Sequence, residues 1–461
     1  MFLTIDEMKV PMGNFPFIYQ KTQNTALFDT FLEAESHLKL NYVDFAHKLR
    51  MAFEMFALEE YISNRSQTDS SSISQIREEI VNEIKAPAST TNYKSIIISL
   101  CKGREIEFVD ILVKYHFLKF ASNEIDLVKR TLAKLIRSIY AFGSENSHEG
   151  SDKQVTYSDC LNAINVFHDF LIVYYHAPSK TYDHKLAPVG EYITIPKLYA
   201  EKIGLALDQG KTLHIRVRQG QPRYYVLSQE TAQISKPQRR DIEVIEKLWE
   251  DNVDDPANVI RQTDVIHGAE PEILYRVYSL PSKPLRINSE LVSTLSIGDK
   301  TDIIRGLCKG VASIHNFVPA LYHRHICPDA FYVFKIKGKY KALLSKFEYT
   351  KDTSSEAAFT VFKNLENSIR DTKDDTFFAP EVKLASVNST IDWEKADIYS
   401  LAKTCLFILS GKNLSVDEYS QTIDDIPFSD TAKLALIEML DGNAQNRPGI
   451  ETLIQSLSID T

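Results

Sequence analysis

The N-terminal part of the chain has the hydrophobic periodicity of helices. Large apolar residues recur there at intervals of three and four positions, which places them on one stripe of a helix. These residues are Phe45, Leu49, Phe53 and Phe56. A second helical pattern covers residues 158–175, and Pro178 follows, where a helix cannot continue. We therefore predict an all-α helical domain over residues 1–178.

The periodicity changes at about residue 190, where short runs rich in β-branched and aromatic residues begin. Strands are predicted at 192–195, 213–217, 224–227 and 273–278, with a helix at 238–250. From residue 284 onward helical patterns dominate, apart from short strand candidates at 330–336 and 340–345. The predicted fold class is therefore α+β, with a strand-rich lobe over residues 188–283 and a helical lobe over residues 284–461.

Composition narrows the class of protein. The 461 residues are 44% hydrophobic and 25% charged, which is typical of globular rather than disordered chains. The formal net charge of -9 excludes a generally basic surface, so any contact with nucleic acid would come from a local patch.

The cysteines and the first residues bear on location. The five cysteines are widely spaced and form no C-x-x-C pair, which favours reduced thiols over disulfides or a zinc site. They are Cys101, Cys160, Cys308, Cys327 and Cys405. Asp6 and Glu7 interrupt the start of the chain where a secretory signal would be apolar. We expect a cytoplasmic protein that has no contact with a membrane.

Residues 322–331, with the sequence YHRHICPDAF, carry the most specific pattern. This segment resembles the catalytic loop of protein kinases, in which His-Arg-Asp precedes a Lys-Pro pair, an acid and an Asn. The residues that match by position are His323, Arg324, Pro328 and Asp329. Later segments resemble further landmarks of the family at similar spacing: Ala379-Pro380-Glu381, Asp397 and Arg447. The resemblance implies a bilobal kinase-like fold.

The residues that carry kinase chemistry are replaced in this sequence. His325 stands at the position of the catalytic base Asp, and Ala330 stands at that of the metal-binding Asn. Lys346, before Phe347, replaces the second metal-binding acid. Because each lost group typically lowers the rate by a factor of about 10² or more, the resemblance implies a pseudokinase without a metal.

The predicted strand-rich lobe departs further from the family. Ser228 aligns with the third-strand Lys that holds phosphates, and Gly210 stands alone where two or three glycines are expected. Glu243 or Glu246 could be the helix acid that normally pairs with that Lys. We therefore expect no cofactor, with ATP binding weakly or not at all.

The predicted helical domain carries a second resemblance. Its motifs are Gly13-Asn14-Phe15-Pro16-Phe17-Ile18, Ala34-Glu35, Lys48-Leu49-Arg50 with Glu54, and Gly143-Ser144-Glu145-Asn146-Ser147-His148. They resemble the HEPN-related domain at the start of bacterial restriction and other defence proteins. Ribonucleases of that group need an Arg four to six residues from the His, and no Arg stands there before His148. We therefore expect His148 to be a surface or capping residue.

Together the two resemblances imply an adaptor or sensor that binds another protein, such as a component of bacterial antiphage defence. The alternative is an enzyme, either a divergent kinase-fold transferase or a HEPN-type RNase toxin. The replaced metal ligands at Ala330 and Lys346 weigh against it. Contact with RNA and a homodimer through the helical domain stay open.

Overall fold

The computed structural model describes residues 13–63, 142, 155–195, 211–218, 221–231, 234–250, 258–352, 375–385 and 390–458. The chain divides into two units, and the first comprises Met1–Thr194 together with His267–Pro271. The second comprises Ile195–Ile266 and Glu272–Thr461. The protein is a mixed α+β chain, as its sequence predicts. The predicted domain end at residue 178 lies before Thr194, where the main segment of unit 1 ends.

The described helices are α1 (Pro16–Thr22), α2 (Thr25–His37), α3 (Tyr42–Ser63), α4 (Tyr157–Tyr174), α5 (Lys236–Glu250), α6 (Ser289–Thr294), α7 (Ile297–His315), α8 (Pro380–Lys383), α9 (Trp393–Ser410), α10 (Tyr419–Asp424), α11 (Asp430–Met439) and α12 (Ile450–Ser458). The described strands are β1 (Ile193–Thr194), β2 (Lys211–Arg218), β3 (Gln221–Glu230), β4 (Arg261–His267), β5 (Leu274–Leu280), β6 (Pro284–Leu285), β7 (Leu321–Tyr322), β8 (Phe331–Ile336), β9 (Lys339–Leu344) and β10 (Lys351–Asp352).

Unit 1 is built on an aromatic core between its helices. The four apolar residues predicted to share a stripe of α3 are all buried, which confirms that prediction. Across the helices, the ring of Phe53 lies 5.4 Å from that of Phe167 on α4. Helix α4 begins at a capping box, in which the side chains of Thr156 and Asp159 satisfy each other's backbone N–H groups.

Residues 267–271 belong to unit 1, although the rest of the β4–β5 hairpin belongs to unit 2. The backbone N–H of Ala269 donates to the carbonyl oxygen of Lys39 at 2.9 Å. The hydroxyl of Tyr42 donates to Glu270 Oε1 at 3.1 Å. The first unit is therefore completed by a segment that lies far from it in sequence.

In unit 2, an antiparallel sheet contains strands in the order β2, β3, β5 and β4. Helix α5 lies between β3 and β4 along the chain. The predicted strands and the predicted helix are confirmed to within a few residues. Strand β4 was not predicted because its sequence, RQTDVIH, has no apolar run and its side chains are half-buried or exposed.

Helix α7 approaches strand β9 closely because two glycines face it. A Cβ on Gly306 would lie 3.1 Å from the backbone nitrogen of Ala342, and one on Gly310 would lie 2.8 Å from the carbonyl oxygen of Asn258. Asn258 O also accepts the N–H of Leu344 at 2.7 Å. Strand β9, which leads directly into residues 345–348, is thereby held against the helix.

Candidate functional site

Asp397, in the first turns of α9, fixes the loop that resembles a catalytic loop. Its carboxylate accepts the backbone N–H of His323 at 2.7 Å and that of Arg324 at 2.8 Å. The ring of His315 lies 3.1 Å from the same carboxylate. Asp397 is 1% exposed, so these hydrogen bonds form away from water. The loop geometry is therefore held from α9.

The ring of His323 joins this loop to the segment after β9. Its Nε2 lies 2.8 Å from the carbonyl oxygen of Ser345, and its ring meets that of Phe347 edge-on at 5.5 Å. The Nδ1 atom accepts the backbone N–H of His325 at 3.3 Å. Burial lowers the pKa of His323. These contacts fit a neutral imidazole that carries its proton on Nε2 and serves as a structural link.

His325, which the kinase resemblance aligns with the catalytic base, lies among aromatic side chains. Its ring is nearly parallel to that of Phe378 at 5.7 Å. It meets the ring of Tyr349 edge-on at 5.2 Å. The imidazole therefore contributes to packing between the loop and the segment that precedes α8.

The next two candidate positions have structural partners as well. The carboxylate of Asp329 accepts two hydrogen bonds from Arg286, both at 3.1 Å. Ala330 is fully buried, and its carbonyl oxygen accepts both the N–H and the hydroxyl of Ser345 at 2.9 Å. The methyl group of Ala330 offers no ligand to a metal ion.

Arg324 is buried against Trp393. Its guanidinium lies 4.1 Å from the centre of the indole ring. Burial lowers the pKa of Arg324 to about 10, and two guanidinium nitrogens, Nε and Nη1, have no hydrogen-bond partner among the described residues. The stack on Trp393 is thus a main contact of this charge.

A buried ion pair lies beside Lys346, and the sequence interpretation missed it. Lys211 Nζ, at the start of β2, lies 2.7 Å from Asp241 Oδ2 on α5 and 3.4 Å from Glu348 Oε1. Asp241 Oδ1 also accepts the backbone N–H of Phe347 at 2.7 Å. One carboxylate therefore joins β2, α5 and the segment after β9.

The acid of α5 in this ion pair is neither of the two residues considered from the sequence, Glu243 and Glu246. Glu243 is exposed, and Glu246 pairs with Arg276, which also binds Glu230 at 2.8 Å. The acid of α5 that faces the site is Asp241. It lies two residues before Glu243, so a motif search for a glutamate on this helix passes over it.

A small cavity of about 10 Å³ adjoins this ion pair. It is lined by Lys211, Val226, Asp241, Ile245, Ile260, Tyr278, Tyr332, Ser345 and Lys346. The Tyr278 hydroxyl is buried and has no hydrogen-bond partner among the described residues, and burial raises its pKa. A volume of about 10 Å³ holds roughly one water molecule. The segment with Gly210 lies outside the described residues.

The downstream landmarks are joined by a second buried ion pair. Arg447 binds the carboxylate of Glu381 through two nitrogens, one of them at 2.9 Å from Glu381 Oε2. Its guanidinium also lies 4.9 Å from the centre of the Tyr399 ring. This pair fixes the start of α8 to the segment before α12.

In unit 1, the structure brings two separate motifs together. Asn14 Nδ2 donates to Glu35 Oε1 at 2.7 Å and to the carbonyl oxygen of Asp183 at 3.0 Å. Gly13 has a φ of 69°, and a Cβ there would lie 2.7 Å from Glu35 Oε2. Burial raises the pKa of Glu35 to about 7 and lowers that of Lys39 nearby to about 8.

The other parts of the second resemblance contribute less to a site. Lys48 forms an ion pair with Glu33 at 2.6 Å on the surface. Arg50 is half-buried on the same helix. His148 and its motif lie outside the described residues.

The described residues show neither a metal-binding cluster nor a membrane-spanning helix. No group of three or more His, Cys, Asp or Glu in the described ranges could hold a metal ion. Among the helices described above, none is both long enough and apolar enough to cross a membrane.

No protein-family model matches this chain, and no curated protein matches it either.

Proposed function

We propose that residues 188–461 form a protein kinase-like domain that no longer transfers phosphate, and that the chain acts by binding another protein. The order of elements supports this proposal: strands β2 and β3, helix α5, strands β4 and β5, and then a helical region. The loop held by Asp397 and the pair of Glu381 with Arg447 support it further. Fold analogy alone gives no activity, so the argument rests on the site.

The observation that carries the proposal is the lining of the small cavity beside Lys211, where Lys346 contributes a cation in place of a metal-binding acid. Among the described residues, Lys211 is the buried cation of this site, and it is held by Asp241 at 2.7 Å.

The chemistry of the two altered positions leads to the same conclusion. Phosphoryl transfer requires metal ions that neutralise charge developing on the phosphates. At the site, Lys346 lines the cavity with a cation where the family has an acid, and Ala330 carries only a methyl group. A cation repels Mg²⁺, and the loss of both ligands leaves the metal without a protein anchor.

The test is phosphoryl transfer by the full chain with γ-labelled ATP and Mg²⁺, both to itself and to generic substrates. We expect no incorporation, and we expect ATP at 1 mM to stabilise the chain by about 0.4 kcal/mol or less, the value for a Kd of 1 mM. Incorporation that is abolished in Lys211→Met would overturn the proposal. In that case Lys211 would be the phosphate-binding cation.

That outcome defines the second candidate function, a divergent kinase-fold transferase. The specific observation in its favour is the buried pair of Lys211 with Asp241, because kinases need such a cation held by a helix acid. The HEPN-type RNase stays a prediction from the sequence, since His148 lies outside the described residues.

Association is tested with the full chain as bait in a pull-down. On this proposal, Lys346→Ala and His325→Ala keep the captured partner, because neither side chain needs to react. We expect loss of the partner when exposed apolar residues of α3 are charged, as in Met51→Glu with Met55→Glu; these two are 41% and 36% exposed. The reverse pattern would favour a repurposed active site. The antiphage setting and the cytoplasmic location rest on the sequence alone.

A further inference from the structure

The hairpin of β8 and β9 ends in a strongly basic segment, residues 335–341, which we call the lysine ribbon. Its sequence is KIKGKYK, and its four lysines are all exposed: Lys335, Lys337, Lys339 and Lys341. The whole chain has 62 acidic residues against 53 basic ones. The ribbon is therefore a basic segment in a chain whose net charge is negative.

The ribbon has a defined shape. Lys337 and Gly338 have φ values of 49° and 83°, which is typical of a tight two-residue hairpin turn. Ile336 and Lys339 pair directly across it. A Cβ on Gly338 would meet no atom of the described residues within 4 Å, so none of them covers the tip.

Lysines lie on both faces of the ribbon and at its turn. Lys335 pairs with Tyr340 across the strands, and its ammonium lies 5.0 Å from the centre of that ring. Because side chains alternate along a strand, Lys339 and Lys341 lie on the opposite face. Lys337 occupies the turn.

Within the described part of the chain, three lysines of the ribbon form no ion pair with a carboxylate within 4.0 Å: Lys337, Lys339 and Lys341. Lys335 has an acid in its surroundings, Asp299. The pKa of Asp299 is lowered mainly by its hydrogen bond from Ser296 and to a smaller degree by Lys335.

We propose that the lysine ribbon binds duplex DNA by lying in the major groove, with its two faces toward the two phosphate backbones. A two-stranded ribbon fits a groove that is about 12 Å wide and about 8.5 Å deep. Two residues before the turn and three after it, at roughly 3.3 Å per residue, give the ribbon a reach of about 7 to 10 Å. Charge on both faces suits a groove with phosphates on both sides. This inference does not depend on the kinase-like proposal.

Other polyanions fit the ribbon less well. The major groove of A-form RNA is deep and narrow and does not admit such an element. A membrane would need apolar side chains at the tip, whereas the tip is Lys337-Gly338 and the nearest apolar residue, Ile336, is half-buried. An acidic peptide would contact one face of the ribbon and leave the other unused.

The test measures binding of the full chain to a fluorescent DNA duplex between 50 and 200 mM salt. Four phosphate contacts predict that log K falls against log salt with a slope of about −3.6, which is a loss of about 150-fold over that range. The variant Lys337→Gln with Lys339→Gln and Lys341→Gln should bind weakly, with a slope of about −0.9 and a loss of only about 3.5-fold.

A matched control removes the same charge elsewhere. Lys236→Gln with Lys383→Gln and Lys412→Gln alters three exposed lysines outside the ribbon and should bind DNA as the unchanged chain does. Absence of DNA binding at 50 mM salt, or equal loss in both triple variants, would overturn the proposal. Tighter binding through the same lysines to duplex RNA, single-stranded RNA, anionic vesicles or an acidic peptide would overturn the choice of partner.

Discussion

Lys211 and Ser228 stand directly opposite each other on the antiparallel strands β2 and β3. The serine occupies the position that the kinase resemblance assigns to a phosphate-binding Lys, and the opposing residue of the neighbouring strand supplies a cation instead. That cation lies 2.7 Å from Asp241. The ion pair between sheet and helix is thus formed by residues outside the motif that the sequence suggests.

We expect unit 2 to become much less stable when only one partner of this ion pair is removed. Lys211→Met would leave the carboxylate of Asp241 buried without its cation, which costs about 3 kcal/mol. Lys341→Met, an exposed lysine of β9, should change the free energy of unfolding by less than about 0.5 kcal/mol. Urea unfolding followed by tryptophan fluorescence measures both, because Trp249 and Trp393 belong to unit 2.

The double variant Lys211→Met with Asp241→Leu sharpens this prediction. Removing both charges leaves no buried carboxylate on α5 without its cation, and only the longer contact of Lys211 with Glu348 at 3.4 Å is lost besides. The double variant should therefore be more stable than Lys211→Met alone. If the stability losses of Lys211→Met and Asp241→Leu simply add up in the double variant, the two residues do not interact energetically. The stabilising role given to this ion pair would then be wrong.

Unit 1 is expected to be more stable at pH 5 than at pH 8 because of Glu35. Its pKa rises from 4.5 to about 7 on folding, so the folded state prefers the protonated acid. This contribution is fully present below pH 4.5 and is lost as pH rises to about 7. It amounts to about 3 kcal/mol at its largest. The ionised form is opposed by burial and only partly relieved by Asn14 and Lys39.

Hydrogen exchange of the α2 amides measures this dependence, since tryptophan fluorescence does not report on unit 1. Glu35→Gln should reduce the difference in protection between pH 5 and pH 8, after correction for the intrinsic exchange rates. Glu33→Gln, which alters an exposed acid two residues away on the same helix, should keep it. An unchanged difference in Glu35→Gln would contradict the assignment.

A fragment of residues 1–178 is expected to be less stable than one of residues 1–194. The shorter fragment lacks Tyr182, which is part of the aromatic core, and Asp183, whose N–H donates to Asn14 Oδ1 at 2.8 Å. It also lacks Ala187, whose carbonyl oxygen accepts Lys39 Nζ at 2.6 Å. Thermal unfolding and solubility of the two fragments decide the matter, and equal stability would support the boundary at residue 178.

Local sequence patterns were sufficient to predict several described elements, among them α4, α5 and strands β2, β3 and β5. The stripe of α3 and the predicted strands follow from side-chain period alone, because burial on one face dictates that period. The resemblance to protein kinases singled out the loop around Arg324 and Asp397, and the structure brings them within hydrogen-bond distance. The loop and Asp397 both belong to a recurring motif, and for this reason their contact could be expected.

Contacts that have no motif could not be predicted. Lys211 and Asp241 meet because of strand register and the rotation of α5, neither of which the sequence shows. The lining of the cavity by Tyr278 and Tyr332 likewise depends on how their strands pack. The assignment of residues 267–271 to unit 1 depends on a backbone hydrogen bond from Ala269, which any residue except proline could donate.

Arg324 adopts a φ of 68°, a conformation that costs a residue with a side chain roughly 1–2 kcal/mol. An arginine does not favour a positive φ. The two hydrogen bonds that Asp397 accepts from the loop backbone maintain this conformation. The form of the loop and the identity of its side chains are thus independent properties. A loop held in this way can exchange every reactive group it presents and still keep its outline, which makes it a scaffold open to new surface chemistry.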